Sequence, residues 1–151
     1  MDFVRLHLGA GGQLLFFQMD PADQRHALNV AKAILAKRGY GDDPPAEEMI
    51  QAALLHDVGK VAGDLTPLGR LFVGFVRRIA PSLRARWADR AGNAFRRACY
   101  VDLVHARRGA YMARAFGVAD EVVAAIRGHH DPPRPGEPKL LTYLREADGE
   151  N

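Results

Sequence analysis

What most constrains the fold is the punctuation of the chain. Asp20-Pro21, Asp43-Pro44 and Thr66-Pro67 each set a capping side chain before a proline, the strongest local signal for a helix start. Glycines at positions 39 and 117 supply matching stops. The spacing predicts helices from Asp20 to about Arg38, from Asp43 to about Asp57, and from Thr66 to a break at Pro81, with Ser82 capping the next. Further helices are expected over about Val101–Phe116, Ala119–His129 and Pro138–Asp148. Residues 1–19 are ambiguous: the Gly9–Gly12 segment breaks any regular element, and Leu14–Phe17 is a short apolar run fit to dock on a core. No stretch alternates with period two, so strands are not expected and the fold class is all-α. The 151 residues suit one domain, with residues 65–100 as an arginine-rich insertion.

The chemistry lies in exceptions to the helical pattern. Met49, Ala53 and Asp57 recur at i, i+4 and i+8, beside the row Ile50, Leu54, Val58. Asp57 therefore ends an inward row, and His56 lies beside it. Asp148 ends the row Leu141, Leu144. His129 and His130 end rows through Ile126, His105 lies one turn after Val101, and His26 one turn before Val30. Five of the six histidines thus fall on or next to inward faces, His7 being the exception. A single such histidine is ordinarily a core residue with a backbone partner, and a single inward aspartate a cap or ion-pair member. Together they would each need a private partner, and no lysine or arginine stands on the same rows. A shared divalent cation satisfies all of them. Imidazole and carboxylate suit Mn, Fe, Co, Ni, Zn or Mg, and the absence of a thiolate favours a catalytic site over a structural zinc cage.

The string Leu54-Leu55-His56-Asp57-Val58-Gly59-Lys60 resembles the defining motif of the HD superfamily of metal-dependent phosphohydrolases. His26 stands where that family has a histidine on a preceding helix, and Asp148 where it has a late aspartate. The resemblance covers roughly residues 20–148 and implies a bundle of five or more helices with His26, His56, Asp57 and Asp148 as metal ligands. His105 and the pair His129-His130 are similar to the added histidines of the dinuclear HD-GYP-like branch. By that likeness Asp57 bridges two metals and an activated hydroxide attacks phosphorus. The Gly-Tyr-Pro signature is missing, and Asp131-Pro132-Pro133 stands in its place. Gly63-Asp64-Leu65-Thr66-Pro67 instead resembles a segment of mononuclear 5'-nucleotidases.

The resulting expectation is a phosphohydrolase or phosphodiesterase using one or two divalent ions on a small phosphorylated substrate, a nucleotide by preference. The alternatives are a non-catalytic signalling or phospho-ligand-binding module and a mononuclear phosphomonoesterase. Lys60, almost one turn after Asp57, is a candidate for contacting substrate phosphate beside the catalytic Asp57. Asp64 is expected to cap the helix that starts near Thr66. Arg107, Arg108 and Arg127 are candidate substrate contacts, because they adjoin candidate ligands in sequence.

Ten arginines lie between Arg70 and Arg108, opposed only by Asp89 and Asp102. With Leu71, Phe72, Phe75 and Ile79 among them, contact of this segment with nucleic acid or a membrane is the least favoured reading. One cysteine excludes an internal disulfide. Neither a signal peptide nor an apolar span is recognised, so a cytoplasmic protein is expected.

Overall fold

The computed structural model of the protein describes residues 2–37 and 46–151. Among these, regular structure is helical: α1 Asp2–His7, α2 Ala10–Phe17, α3 Pro21–Ala36, α4 Glu47–Leu55, α5 Pro67–Ile79, α6 Pro81–Trp87, α7 Ala94–Ala115, α8 Asp120–Gly128 and α9 Lys139–Glu150. There is no strand among the described residues, only an isolated bridge between Met19 and Val61. The fold is all-α. None of the described helices is long and apolar enough to cross a membrane.

The expected stops at Arg38-Gly39 and start at Asp43-Pro44 lie outside the described residues. Elsewhere the local chemistry corrects several boundaries. Pro21 opens α3, but the Asp20 side chain caps nothing and instead meets Arg70 at 3.3 Å. Thr66, not Asp64, caps α5: its Oγ1 accepts the Gly69 N–H at 3.0 Å. Ser82 lies inside α6, which Pro81 opens. The long α7 begins at Ala94 rather than Val101, because the Asn93 side chain accepts the Arg96 N–H and caps it there. Of the Gly9–Gly12 segment only Gly9 interrupts the helical run, between α1 and α2. Gly11 and Gly12 are helical, and a Cβ at Gly11 would stand 2.2 Å from the Phe116 carbonyl oxygen, so this glycine lets α2 close against the end of α7.

The central element is α4. Ala52, Ala53, Leu54 and Leu55 are all fully buried, so the last turn of this helix is covered on every side. It packs against α3, α8 and α9, with α1 and α2 closing over it. The chain leaves α4 through Gly59, where a Cβ would stand 1.9 Å from the His105 carbonyl oxygen and 2.8 Å from the Gly109 amide. This glycine-to-helix contact brings the end of α4 against α7, and with it Asp57 against His105. A second, smaller apolar cluster of Leu65, Val73, Ala98, Cys99 and Val101 fastens α5 to α7, while α6 buries no residue.

Candidate metal centre

Five helices deliver polar side chains to one place. α3 brings Asp23 and His26, the turn after α4 brings His56 and Asp57, α7 brings His105, the end of α8 brings His129 and His130, and α9 brings Asp148. His56, His105, His129 and Asp57 are buried. The helix of α4 ends at Leu55, so His56 and Asp57 lie in the following turn rather than on the helix itself.

Three of the imidazoles are fixed by one device. Nδ1 of His56 faces the Ala53 carbonyl at 2.9 Å, Nδ1 of His105 the Asp102 carbonyl at 2.8 Å, and Nδ1 of His129 the Ile126 carbonyl at 2.7 Å. Each partner is the carbonyl three residues back in the chain. A carbonyl only accepts, so Nδ1 carries a proton, and each ring points its Nε2 inward, where the neutral form offers a lone pair. These Nε2 atoms converge. His105 Nε2 lies 3.4 Å from His129 Nε2 and 3.1 Å from His130 Nε2. The buried His56 Nε2 has no hydrogen-bond partner.

Carboxylates stand among these lone pairs. Asp57 Oδ2 is 3.5 Å from His56 Nε2, and Asp57 Oδ1 is 3.3 Å from His105 Nε2 and 3.9 Å from His129 Nε2. Asp148 Oδ1 lies 2.8 Å from His26 Nε2 and 3.4 Å from His56 Nε2. Lone pairs and carboxylates repel one another when they face inward without a proton or a cation between them. The donor set therefore fits a divalent cation, and the backbone-anchored Nδ1–H groups are the outer contacts that orient histidine ligands. Two such groups form: His26, His56 and Asp57, and separately His105, His129 and His130, each with donor atoms within 4.8 Å of one another.

The electrostatics follow the same logic. Burial alone would raise the Asp57 carboxyl, but the Lys60 ammonium and the His56 and His105 rings outweigh it and hold it well below the usual carboxylate range. Burial likewise opposes ionisation of Asp148, yet His26 and His56 hold it well down. His129 is pushed well below its ordinary value by burial and by the neighbouring His56 and His130. His130, at the rim, is lowered to about 4 by burial and by His105. These two rings are neutral at pH 7, as metal coordination requires.

Lys60 is nearly covered, and its Nζ donates to Asp57 Oδ2 at 2.7 Å. Above this floor opens a basin of about 600 Å³ whose walls include Asp23, Lys60, Arg77, His130, Arg145 and Asp148. Arg107, Arg108 and Arg127 are not among its walls. Arg107 and Arg127 line a separate depression with Tyr111 and Arg114, and Arg108 is paired with Asp64 at 2.5 Å. Arg107 stands two positions after His105 and Arg127 two before His129, which on a helix turns each to the opposite side, whereas Arg108, three after His105, is drawn away by Asp64.

Sequence reasoning overlooked Asp23, Arg77 and Arg145. Asp23 precedes His26 by three residues and so shares its face, which was a readable signal. It is buried, receives Arg70 at 2.5 Å, and leaves its Oδ2 without a partner. Arg145 precedes Asp148 by the same interval and is tied to Glu137 at 2.5 Å. Arg77 comes from α5, and nothing local connects it to the site; it stands 3.9 Å from Asp102 with half its side chain in solvent.

No curated protein and no solved structure matches the chain. The family model described as HD domain matches residues 24–149, the span that holds His26, His56-Asp57, His105, His129-His130 and Asp148. With most of its length matched and an inward donor set that fits a divalent cation, the chain belongs to the HD domain family, whose members are generally metal-dependent hydrolases.

Proposed function

We propose that this protein hydrolyses a phosphoester of nucleotide size with two divalent cations shared across Asp57. His26, His56 and Asp148 would hold one cation, and His105, His129 and His130 the other. The observation that carries this reading is the division of Asp57: Oδ2 faces His56, while Oδ1 faces His105 and His129. A carboxylate flanked on both oxygens by separate histidine groups suits a bridging role. When bound, the cations supply acidity to a water molecule and positive charge to a phosphoryl group.

The chain's own residues do the rest. Asp57, kept ionised, orients both histidine groups. Lys60 sits where the floor meets the basin, and its ammonium would turn from Asp57 to a substrate oxygen. Arg77 reaches the same basin with a guanidinium bound only loosely at 3.9 Å, free to form a fork on phosphate. Arg145, locked by Glu137, shapes the wall instead. A basin of about 600 Å³ falls in the range of small-molecule sites. Phosphodiesters and cyclic nucleotides are the first substrates this arrangement favours.

Elemental analysis of the purified protein and of a His105→Ala/His129→Ala variant tests the reading. About two metals per chain falling to about one, together with loss of phosphodiester turnover, is the expected result. One metal in both proteins means a mononuclear site and makes phosphomonoesters the first substrates. A wild type that cannot be loaded with any divalent metal overturns the proposal. Metal retained without turnover of any phosphodiester or nucleotide would point to a phospho-ligand-binding module.

A further inference from the structure

Helix α5 has two apolar sides, and only one is used. Gly69, Val73 and Val76 are buried against the protein. Leu68, Leu71, Phe75 and Ile79 recur at i, i+3, i+7 and i+11, which places them on one stripe. They are 68%, 74%, 63% and 61% exposed. Four large aliphatic and aromatic side chains in line on one solvent-facing stripe are not the scattered apolar residues of an ordinary surface.

The surroundings of the stripe are cationic. Arg78 lies beside it on α5, and Arg86 follows on α6, which packs against α5. Neither forms an ion pair among the described residues, in contrast to Arg70 and Arg84, which are tied to Asp23 and Asp102. Trp87 ends α6, stacked on Phe72 with ring centroids 5.9 Å apart and still 40% exposed, an amphipathic ring of the kind that favours a lipid–water boundary.

From this juxtaposition, an exposed apolar stripe on α5 flanked by unpaired arginines and followed by Trp87, we propose that α5 and α6 dock the protein on the surface of an anionic lipid bilayer. The apolar stripe would enter the boundary between headgroups and acyl chains, and the arginines would meet the lipid phosphates. Two other occupants fit less well. A second copy packed stripe to stripe would offer Arg78 and Arg86 no carboxylate, since residues 67–87 contain none. Nucleic acid would satisfy the arginines but leave the stripe in water. The docking is peripheral, since neither helix is long enough to span.

Trp87 is the chain's only tryptophan and reports directly on the event. The metal-loaded full chain would be mixed with vesicles of phosphatidylcholine and phosphatidylglycerol in equal parts, or of phosphatidylcholine alone. Co-sedimentation and Trp87 emission would be followed. Binding to the anionic vesicles, a blue shift of the emission, and release by high salt are expected. Arg78→Glu/Arg86→Glu should weaken partitioning by at least about fivefold for each arginine lost. Leu71→Glu/Phe75→Glu should abolish it while leaving metal content and helicity unchanged, because both positions face solvent. No binding by the wild type, equal binding to neutral vesicles, or binding that survives both variants overturns the proposal. So does a concentration-dependent dimer that Leu71→Glu/Phe75→Glu dissolves, which would assign the stripe to self-association.

Discussion

The bundle around α4 and the α5–α6 layer carry anomalies of opposite sign. Around α4, polar groups are inside: His56, Asp57, His105 and His129 are buried in the same interior as Leu54, Leu55 and Ile126. In the α5–α6 layer apolar groups are outside, and the cluster beneath them is small. Inward-facing imidazole nitrogens and carboxylates call for a cation, and exposed apolar stripes call for a surface. Each region becomes intelligible once what it must contact is supplied. The two meet at α5, where Arg70 ties to Asp23 at the edge of the basin and Arg77 enters its wall, while Leu71 and Phe75 face away.

The sharpest way to break this comparison is to remove the group on which the interior converges. Asp57→Ala should lower turnover by about a thousandfold or more and strip the protein of metal, because several kcal/mol of charge stabilisation goes with it. Elemental analysis and a phosphodiester assay read both effects, and a variant that keeps full metal and activity would contradict the assignment.

Gly59→Ala tests the contact that aligns the two histidine groups. With a Cβ only 1.9 Å from the His105 carbonyl oxygen, something must shift, and a stability loss of about 3 kcal/mol is expected from chemical denaturation. A paired truncation separates the two regions directly. Leu54→Ala in the interior should cost about 3 kcal/mol, whereas Leu71→Ala on the exposed stripe should change stability by no more than about 0.5 kcal/mol. Equal losses would mean that the stripe is covered.

Arg77→Ala should raise KM severalfold with kcat nearly kept, whereas Arg108→Ala, which only releases Asp64 away from the basin, should leave both unchanged. The reverse result would restore Arg108 as a substrate contact and remove Arg77.

The smallest effect concerns Glu137, which Arg145 above all holds down, against some burial and with help from Thr142, from the ordinary 4.5 to about 2. A lowered carboxyl contributes stability that is whole above about pH 4.5 and fades as pH falls through about 2. Glu137→Gln should therefore melt slightly below the wild type at neutral pH, with the gap closing across that window. A gap that persists at pH 2 would assign the effect to packing.

Much of this was legible in the chain because it is local. Prolines at helix starts and helical spacing depend on near neighbours, so α3, α5, α8 and α9 fall close to where the sequence sets them. The exceptional residues were legible too, since a histidine or aspartate on an inward row is visible from spacing alone. The start of α7 was not, because Asn93 is one capping residue among many polar ones in that stretch. The helical character of Gly11 was hidden as well, because it closes against Phe116, more than a hundred positions away.

The sequence by itself determined an all-helical chain with histidines and carboxylates on the inner faces of several helices, because helical periodicity is a property of consecutive residues. Only the tertiary structure decided which histidine meets which oxygen of Asp57. It also admitted Arg77 to the basin and left Arg107 and Arg127 outside it. The apolar stripe of α5 makes the same point, for it reads in sequence like any core-facing row. Whether another helix covers a row depends on how the helices pack, and spacing along one helix carries no record of that.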